Sequence, residues 1–328
     1  MASGKSFLGV LVLMLALSVK FSETQAQLSA TYYDKTCPNL RNMVAQAFLF
    51  QMNLIRIITA PASLLRVAFH DCAVDGCQGS IMLNSQGAIT DEKLSERNLG
   101  IQNLDVIDAI KAQVERSCPG VVSCADLIIL IAHEAIKYSA GPNLPVVFGR
   151  KDARFASKSA ADSQLLPADA TVDQVLSSFA KMGIDTAGSV ALLGSHTIGV
   201  AHCKNVVNRL YPAPDATLSR ANNIFLLNRL RAQCPVNFNP NVFINNDGTN
   251  TIFDSGYYQA ALQGRGVLTI DDRLANDPRT KPFMQTWAFN TFAFRQAFQG
   301  AWLKMTSYRV LTGNGTDREV RRNCRFIN

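Results

Sequence analysis

Eight cysteines behind a secretion leader narrow the possible folds of this chain more than any other feature. Lys5 supplies a short positive segment, Phe7 to Val19 an uncharged apolar run, and Thr24-Gln25-Ala26 a small-residue cleavage site. Residues 1–26 therefore read as a signal peptide, with the mature chain expected to start at Gln27, a residue able to cyclise. The apolar run is too short to span a bilayer comfortably, and no other window is long and uncharged enough, so no membrane span is expected. Leu127 to Ala132, flanked by Asp126 and Glu134, reads as core. All eight cysteines, Cys37, Cys72, Cys77, Cys118, Cys124, Cys203, Cys234 and Cys324, follow the leader. In an oxidising compartment an even count predicts four disulfides, and spacing alone leaves their pairing open. Zinc is a poor alternative, because no C-x-x-C pair exists and the chain has only 4 histidines.

Most long segments carry apolar spacing near one helical turn: Asn39 to Ile58, Pro61 to His70, Leu104 to Arg116, Ser123 to Tyr138, Val172 to Lys181, Ala187 to Leu193, Ala221 to Gln233 and Lys281 to Met305. Asp173 and Asp185 sit near helix starts, as caps or first-turn charges should. Pro145 to Gly149 is a short strand candidate, and Val236 to Ser255, rich in Asn, Pro, Gly and Asp, reads as a long loop. No linker, low-complexity tract or internal repeat divides the chain, so a mainly α unit over 27–328 is expected.

The formal charge is +7, and without Lys5, Lys20 and Glu23 of the leader the mature part keeps a clear positive excess. A basic secreted protein is drawn to acidic polysaccharide or other anionic surfaces. The basic residues are scattered except for Arg318, Arg321, Arg322 and Arg325, and no base-reading module is present, so nucleic acid is not an expected partner. Asn314-Gly315-Thr316 is the only N-glycosylation sequon.

The chemistry concentrates in Arg66-Val67-Ala68-Phe69-His70-Asp71-Cys72-Ala73. On a helix, Arg66 and His70 stand four apart on one face. An imidazole that accepts a proton, beside a guanidinium that holds developing negative charge, can split a polar bond. In isolation such a pair is more often a surface feature of an amphipathic helix. A serine hydrolase built on Ser195-His196 fails on geometry, since adjacent helical residues diverge by about 100° and no nucleophile elbow is present.

Further stretches give that segment its context: Tyr33-Asp34-Lys35-Thr36-Cys37-Pro38, Val122-Ser123-Cys124-Ala125-Asp126, Leu193-Gly194-Ser195-His196-Thr197-Ile198-Gly199, Thr251-Ile252-Phe253-Asp254 with Tyr257-Tyr258, and Arg322-Asn323-Cys324. In this order, with eight matching cysteines, they make a chain that resembles the plant secretory (class III) haem peroxidases from Gln27 to Cys324. Spacing alone would not reveal haem, because haem b leaves no covalent C-x-x-C-H signature.

The resemblance implies a mainly α, two-lobed helical haem peroxidase fold with haem b between the lobes, acting as a monomer. It implies His196 as the axial haem ligand, with Asp271 bonded to its other ring nitrogen. It makes His70 the base that moves a proton between the oxygens of hydrogen peroxide, Arg66 the stabiliser of the breaking bond, and Asn98 the amide that orients His70. Phe69 would shield the iron, and the Pro167 carbonyl would face aromatic donors. The implied reaction reduces hydrogen peroxide to water and oxidises small phenolic donors by one-electron steps, in the cell wall or extracellular space. The implied disulfides are Cys37–Cys118, Cys72–Cys77, Cys124–Cys324 and Cys203–Cys234, and Asp126 with Arg150 matches a buried ion pair.

Two calcium sites come with the resemblance. Asp71, Val74, Gly76, Gln78, Ser80 and Glu92 match the one beside His70. Thr197, Asn246, Thr249, Ile252 and Asp254 match the one beside His196. Here the chain departs from its family. Gln78 stands where an Asp is usual, and Asn246 likewise, with Asp247 adjacent and able to substitute after a small loop shift. Ala73 replaces a customary Phe and Ala68 a customary His, the segment around Glu96-Arg97 lacks the usual proline and is polar, and Gln102-Asn103-Leu104 replaces an expected Arg-Gly-Phe, one residue short. Weaker calcium beside His70 and a more polar haem edge are the expectations. The alternative is a non-catalytic wall protein on the same fold, supported by the altered loops and the basic charge.

Overall fold

The apolar segments become helices that cover one another, and the most apolar becomes the centre. Cys124–Tyr138 is buried continuously from Cys124 to Ile136, as a helix apolar on every side must be. Its chief neighbour is the helix Ala60–Ala73, and Leu40–Ile55 and Leu104–Ser117 pack on it as well. A second set forms around Thr186–Leu193 and Thr291–Thr306, joined by Gly256–Leu262, Thr269–Asn276 and Lys281–Trp287. Thr291–Thr306 also touches Ala60–Ala73, which links the two sets. The computed structural model describes residues 28–220, 223–239 and 242–328. The leader and the expected start at Gln27 lie outside them. Among the described residues the fold is mainly α. Strand pairing is confined to two antiparallel ribbons, Asp152–Ala153 with Arg318–Glu319 and Val200–His202 with Phe243–Asn245. No helix among the described residues is long and apolar enough to cross a membrane.

Local chemistry sets the helix ends. The Ser123 hydroxyl accepts from the Asp126 amide, Asp185 accepts from Gly188, and Thr171 with Gln174 forms a reciprocal capping box. Leu40–Ile55 stops short of the expected Ile58 because Arg56 turns into the left-handed region at φ 50°, its amide returning to the Met52 carbonyl. The helix expected from Lys281 to Met305 is two helices, because the Asn290 side chain caps a new start through the Ala293 amide. Pro145 to Gly149 is not a strand: among the described residues only Phe148 bridges, to Ser29. Lys158–Gln164, Gly256–Leu262 and Thr269–Asn276 are helices that the apolar pattern does not mark, each too short to display a full apolar stripe.

The four disulfides pair as the resemblance implies. Cys124–Cys324 ties the C-terminal segment to the central helix across 200 residues, the kind of closure that most restricts an unfolded chain in the loop-entropy account. Beside it Asp152, fully buried, accepts from the amides of Cys124, Ala125 and Arg321. Asp126 and Arg150 meet at 2.7 Å with both side chains fully buried. Asp126 also accepts from the Tyr33 hydroxyl and the Gly149 amide, and Arg150 donates to the carbonyls of Thr306 and Val147.

Removing one partner of such a pair strands a buried charge. Arg150→Met should lower stability by about 3–5 kcal/mol, read from the urea midpoint. Asp126→Asn added to it should cost less than the two single effects combined, which a double-mutant cycle measures.

Candidate active site

A cavity of about 760 Å³ brings the sequence candidates together. The helix Ala60–Ala73 turns Arg66, Phe69, His70 and Ala73 toward it, the one-face spacing of a helix, while Leu64, Val67, Ala68 and Cys72 enter the core. Another wall is the turn Gly194–Thr197, which carries His196. A Cβ at Gly194 would run into the Tyr258 hydroxyl and the Phe294 ring, so glycine is what lets this turn approach its neighbours.

His70 is oriented from behind. Its Nδ1 lies 2.6 Å from Asn98 Oδ1, and Asn98 Nδ2 donates to the Glu92 carbonyl at 2.7 Å. That second bond identifies Oδ1 as the acceptor, so Nδ1 carries the proton and Nε2 keeps a lone pair. Arg66 Nε donates to this Nε2 at 3.0 Å, and the rest of the guanidinium donates to the carbonyls of Leu99 and Arg97. Burial, followed by the charge of Arg66, pushes His70 down to about 3. Burial also draws Arg66 down to about 10. At neutral pH the pair is an uncharged proton acceptor beside a cation.

His196 is oriented in the same manner from its own side. Its Nδ1 lies 2.9 Å from Asp271 Oδ1, which also accepts from the Tyr257 hydroxyl at 3.1 Å. Asp271 is buried on the helix Thr269–Asn276. No partner engages His196 Nε2 among the described residues, and His196 lines the cavity. An imidazole held this way through Nδ1 is a ready ligand for a metal ion or a metal-bearing cofactor.

Pro167 also lines the cavity, with Leu166 and Ala168. Glu96, Arg97, Gln102 and His202 give the wall a polar sector, and Glu96 forms an ion pair with Lys204. Asn314 is exposed.

The oxygen-rich loops assemble as well. Asp71, fully buried, accepts from the amides of Gly79 and Ile81. Near it Ser80 Oγ and Glu92 Oε2 are buried without a hydrogen-bond partner. Burial raises Asp71 to about 6 and Glu92 to about 8. Gln78 is buried in the same loop, as are Val74 and Gly76. On the other side the Thr197 hydroxyl lies within hydrogen-bond distance of Asp247 at 2.8 Å and Asp254 at 3.1 Å, and that of Thr249 donates to Asp254 at 3.0 Å. Asp247 thus joins this cluster. Asn246 instead sends its Nδ2 to the His196 carbonyl and leaves its Oδ1 buried without a partner. Ile252, half-exposed, follows in the same loop. No cluster of three or more His, Cys, Asp or Glu occurs among the described residues. These two places hold two carboxylates each, supplemented by hydroxyls and amides, a donor set suited to a hard cation.

Two residues at the site had no role in the sequence reading. Tyr257 holds Asp271, and His202 forms part of the cavity wall. Tyr257 lies in a motif quoted above, but nothing local to it points toward Asp271.

The chain is similar to known proteins over most of its length. Residues 44–290 match the family model described as "Peroxidase". The chain is 43% identical to "Peroxidase 29" of Arabidopsis thaliana over 305 residues, covering 89% of this chain and 88% of that protein. It is 36% identical to "Peroxidase C1B" of Armoracia rusticana over 337 residues, covering 99% and 94%.

The His70 environment has a thermodynamic signature. His70 stays neutral in the fold until about pH 3, whereas unfolded it takes a proton near pH 6.5. The unfolded state therefore binds the extra proton in that window, and stability should fall as pH drops through it. His70→Gln should flatten the decline, checked by denaturant midpoints between about pH 7 and about pH 4. Parallel curves for the two proteins would contradict the assignment.

Proposed function

We propose that this chain, which belongs to the plant class III peroxidase family and is a peroxidase, is a secreted haem enzyme that reduces hydrogen peroxide with electrons drawn from phenols. One observation carries the proposal. Two histidines wall a single cavity, each held through Nδ1 by a buried oxygen, with Nε2 of His196 unpartnered among the described residues and Nε2 of His70 facing the Arg66 guanidinium.

The cavity suits haem b. Its volume falls within the range of cofactor pockets, and Phe69, Leu192, Leu193, Ile198, Leu268 and Ile270 give it apolar wall. His196 Nε2 would hold the iron, with Asp271 making the imidazole a stronger donor. When bound, haem supplies the redox centre for the two-electron reduction of peroxide and for the one-electron oxidation of donors. The protein supplies proton movement and charge. His70 Nε2 takes the proton from one peroxide oxygen and returns it to the other, so that water leaves. To admit peroxide, Arg66 releases His70 Nε2 and turns its positive charge to the departing oxygen. Asn98 keeps the Nδ1 proton in place throughout, which prevents His70 from offering the wrong nitrogen. The Pro167 carbonyl would accept from the donor hydroxyl at the cavity wall.

Two calcium ions would occupy the oxygen-rich loops. The unpartnered Ser80 Oγ and Glu92 Oε2, and the raised pKa values of Asp71 and Glu92, support a cation site beside His70. Asp247, Asp254, Thr197 and Thr249 would hold the second, with the unpartnered Asn246 Oδ1 close by in the chain. Gln78 brings no charge to the first site, so calcium there should bind more weakly than with an Asp at this position. Export to the cell wall rests on the leader over residues 1–26, with 27–328 as the peroxidase domain. The +7 charge favours anionic wall polysaccharide, and exposed Asn314 would accept a glycan.

His70→Leu should retain haem and its ferric spectrum but slow the reaction with peroxide by about 10²–10⁴-fold, measured by stopped-flow absorbance. Calorimetric titration of the chelated enzyme should show two calcium-binding steps, and Gln78→Asp should tighten one of them. An unchanged titration in Gln78→Asp would reject the reading of Gln78.

A further inference from the structure

The helix Leu40–Ile55 is apolar on two sides, and the fold uses only one of them. Leu40, Met43, Val44, Ala47, Phe48 and Met52 enter the core. On the outer side Phe50 and Leu54 stand 64% and 65% exposed, and Leu49 is about half exposed. The helix ends where Arg56 turns into the left-handed region, and Ile57 and Ile58 follow in the open, Ile58 at 73%. One apolar stripe is enough to hold a surface helix to its core, so folding does not account for the second. Arg56 is also the only charged residue between Arg41 and Arg66.

We propose that this face binds a second copy of the chain, the two helix ends packing antiparallel across a two-fold axis. The proposal departs from the monomer that the resemblance implies. It is independent of the catalytic reading, since no step in it needs haem or peroxide. Area comes first. Leu49, Phe50, Leu54, Ile57 and Ile58 together expose roughly 500 Å² of apolar surface, as much as the largest patch on a typical monomer. Two such faces bury about 1,000 Å², the size at which specific interfaces begin, so the area supports a weak dimer that forms with rising concentration.

Shape and charge select a second copy over other occupants. Leu49 with Asn53, and Phe50 with Leu54, form two adjacent exposed rows of residues four apart, the ridges that interdigitate when helices pack. A two-fold contact needs a surface complementary to itself, and a face of aliphatic and aromatic side chains meets that condition. Antiparallel crossing between Phe50 and Leu54 keeps the two Arg56 side chains at opposite ends, so like charges do not meet. A bilayer-binding face carries a rim of lysines and arginines, and a partner steered by charge needs a charged surface. This face offers a single arginine to either. Charge depletion around an aromatic residue is instead the composition of an interface core. With a formal charge of +7 on the chain, two copies also meet least repulsion where neither carries charge. Thr59, which follows Ile58, lines the cavity, so the interface borders the start of the helix that carries Arg66 and His70.

The test is sedimentation velocity of the secreted protein from about 0.1 to about 100 µM, where the parent should pass from monomer to dimer. Leu54→Asp and Phe50→Asp each bring two carboxylates into the contact, one from each copy, and should weaken the dimer by at least about tenfold. Both side chains are mostly exposed, so each variant should keep the urea midpoint of the parent. Phe225→Asp, on the helix Ile224–Gln233 and 84% exposed in the parent, should leave the dimer unchanged. A parent that stays monomeric throughout would overturn the proposal. So would a dimer equally tight in Leu54→Asp and Phe50→Asp, or one that only Phe225→Asp weakens. A monomeric parent that binds phosphatidylcholine vesicles, with binding lost in Leu54→Asp, would give the face to a bilayer and overturn the proposal as well.

Discussion

One helix has to satisfy three environments, and the site follows from how it does so. Along Ala60–Ala73 each residue advances the side-chain direction by about 100°. Arg66, Phe69, His70 and Ala73 therefore share the cavity face, while Leu64, Val67, Ala68 and Cys72 are driven into the core against Cys124–Tyr138. Asp71 leaves in a further direction and takes up the amides of Gly79 and Ile81. The chain then turns through Asp75 and Gly76, both at positive φ. A Cβ at Gly76 would strike the carbonyls of Arg309 and Tyr308, two residues that also line the cavity. Moving this helix would disturb the proton acceptor, the oxygen-rich loop and the C-terminal segment together.

Polarity is buried here only where it is wired. Each cavity histidine is fixed through the nitrogen that faces away from the reaction, His70 by Asn98 and His196 by Asp271, and each of these partners is tied further back, to Glu92 and Tyr257. A buried donor or acceptor left unmade costs about 1–3 kcal/mol, so such networks resist alternative arrangements. What remains unwired is informative for the same reason. Ser80 Oγ, Glu92 Oε2 and Asn246 Oδ1 are orphaned in the two loops whose donors suit a hard cation.

The pattern of what the sequence revealed follows contact distance along the chain. Arg66 and His70 are four residues apart, and helical spacing alone pairs them. Long apolar helices such as Cys124–Tyr138 declare themselves by their composition. Asn98 lies 28 residues from His70 and Asp271 lies 75 from His196, so no local pattern joins them, and only the family resemblance did. The same holds for the disulfide pairing, since Cys124 and Cys324 meet across 200 residues. The misses are local effects that hydropathy does not carry. The Asn290 cap divides what reads as one helix, and Lys158–Gln164, Gly256–Leu262 and Thr269–Asn276 are too short for a periodic signature. Asp247, rather than Asn246, sits among Thr197, Thr249 and Asp254, a one-residue difference that only the backbone path decides.

The loop beside His70 joins these themes. Burial raises the carboxyl groups of both Asp71 and Glu92, so each is costly to keep ionised without a compensating cation. Glu92 is also the residue whose carbonyl holds Asn98, and Asn98 holds His70. On the proposed reading, a cation that fixes the Glu92 side chain fixes its backbone, and through Asn98 the direction in which His70 Nε2 points. Gln78 removes charge from that loop without touching the hydrogen bonds of the His70 chain. The Asn98 bonds to the Glu92 carbonyl and to His70 Nδ1 are both in place in this structure, so a neutral residue at 78 is compatible with the orientation of His70.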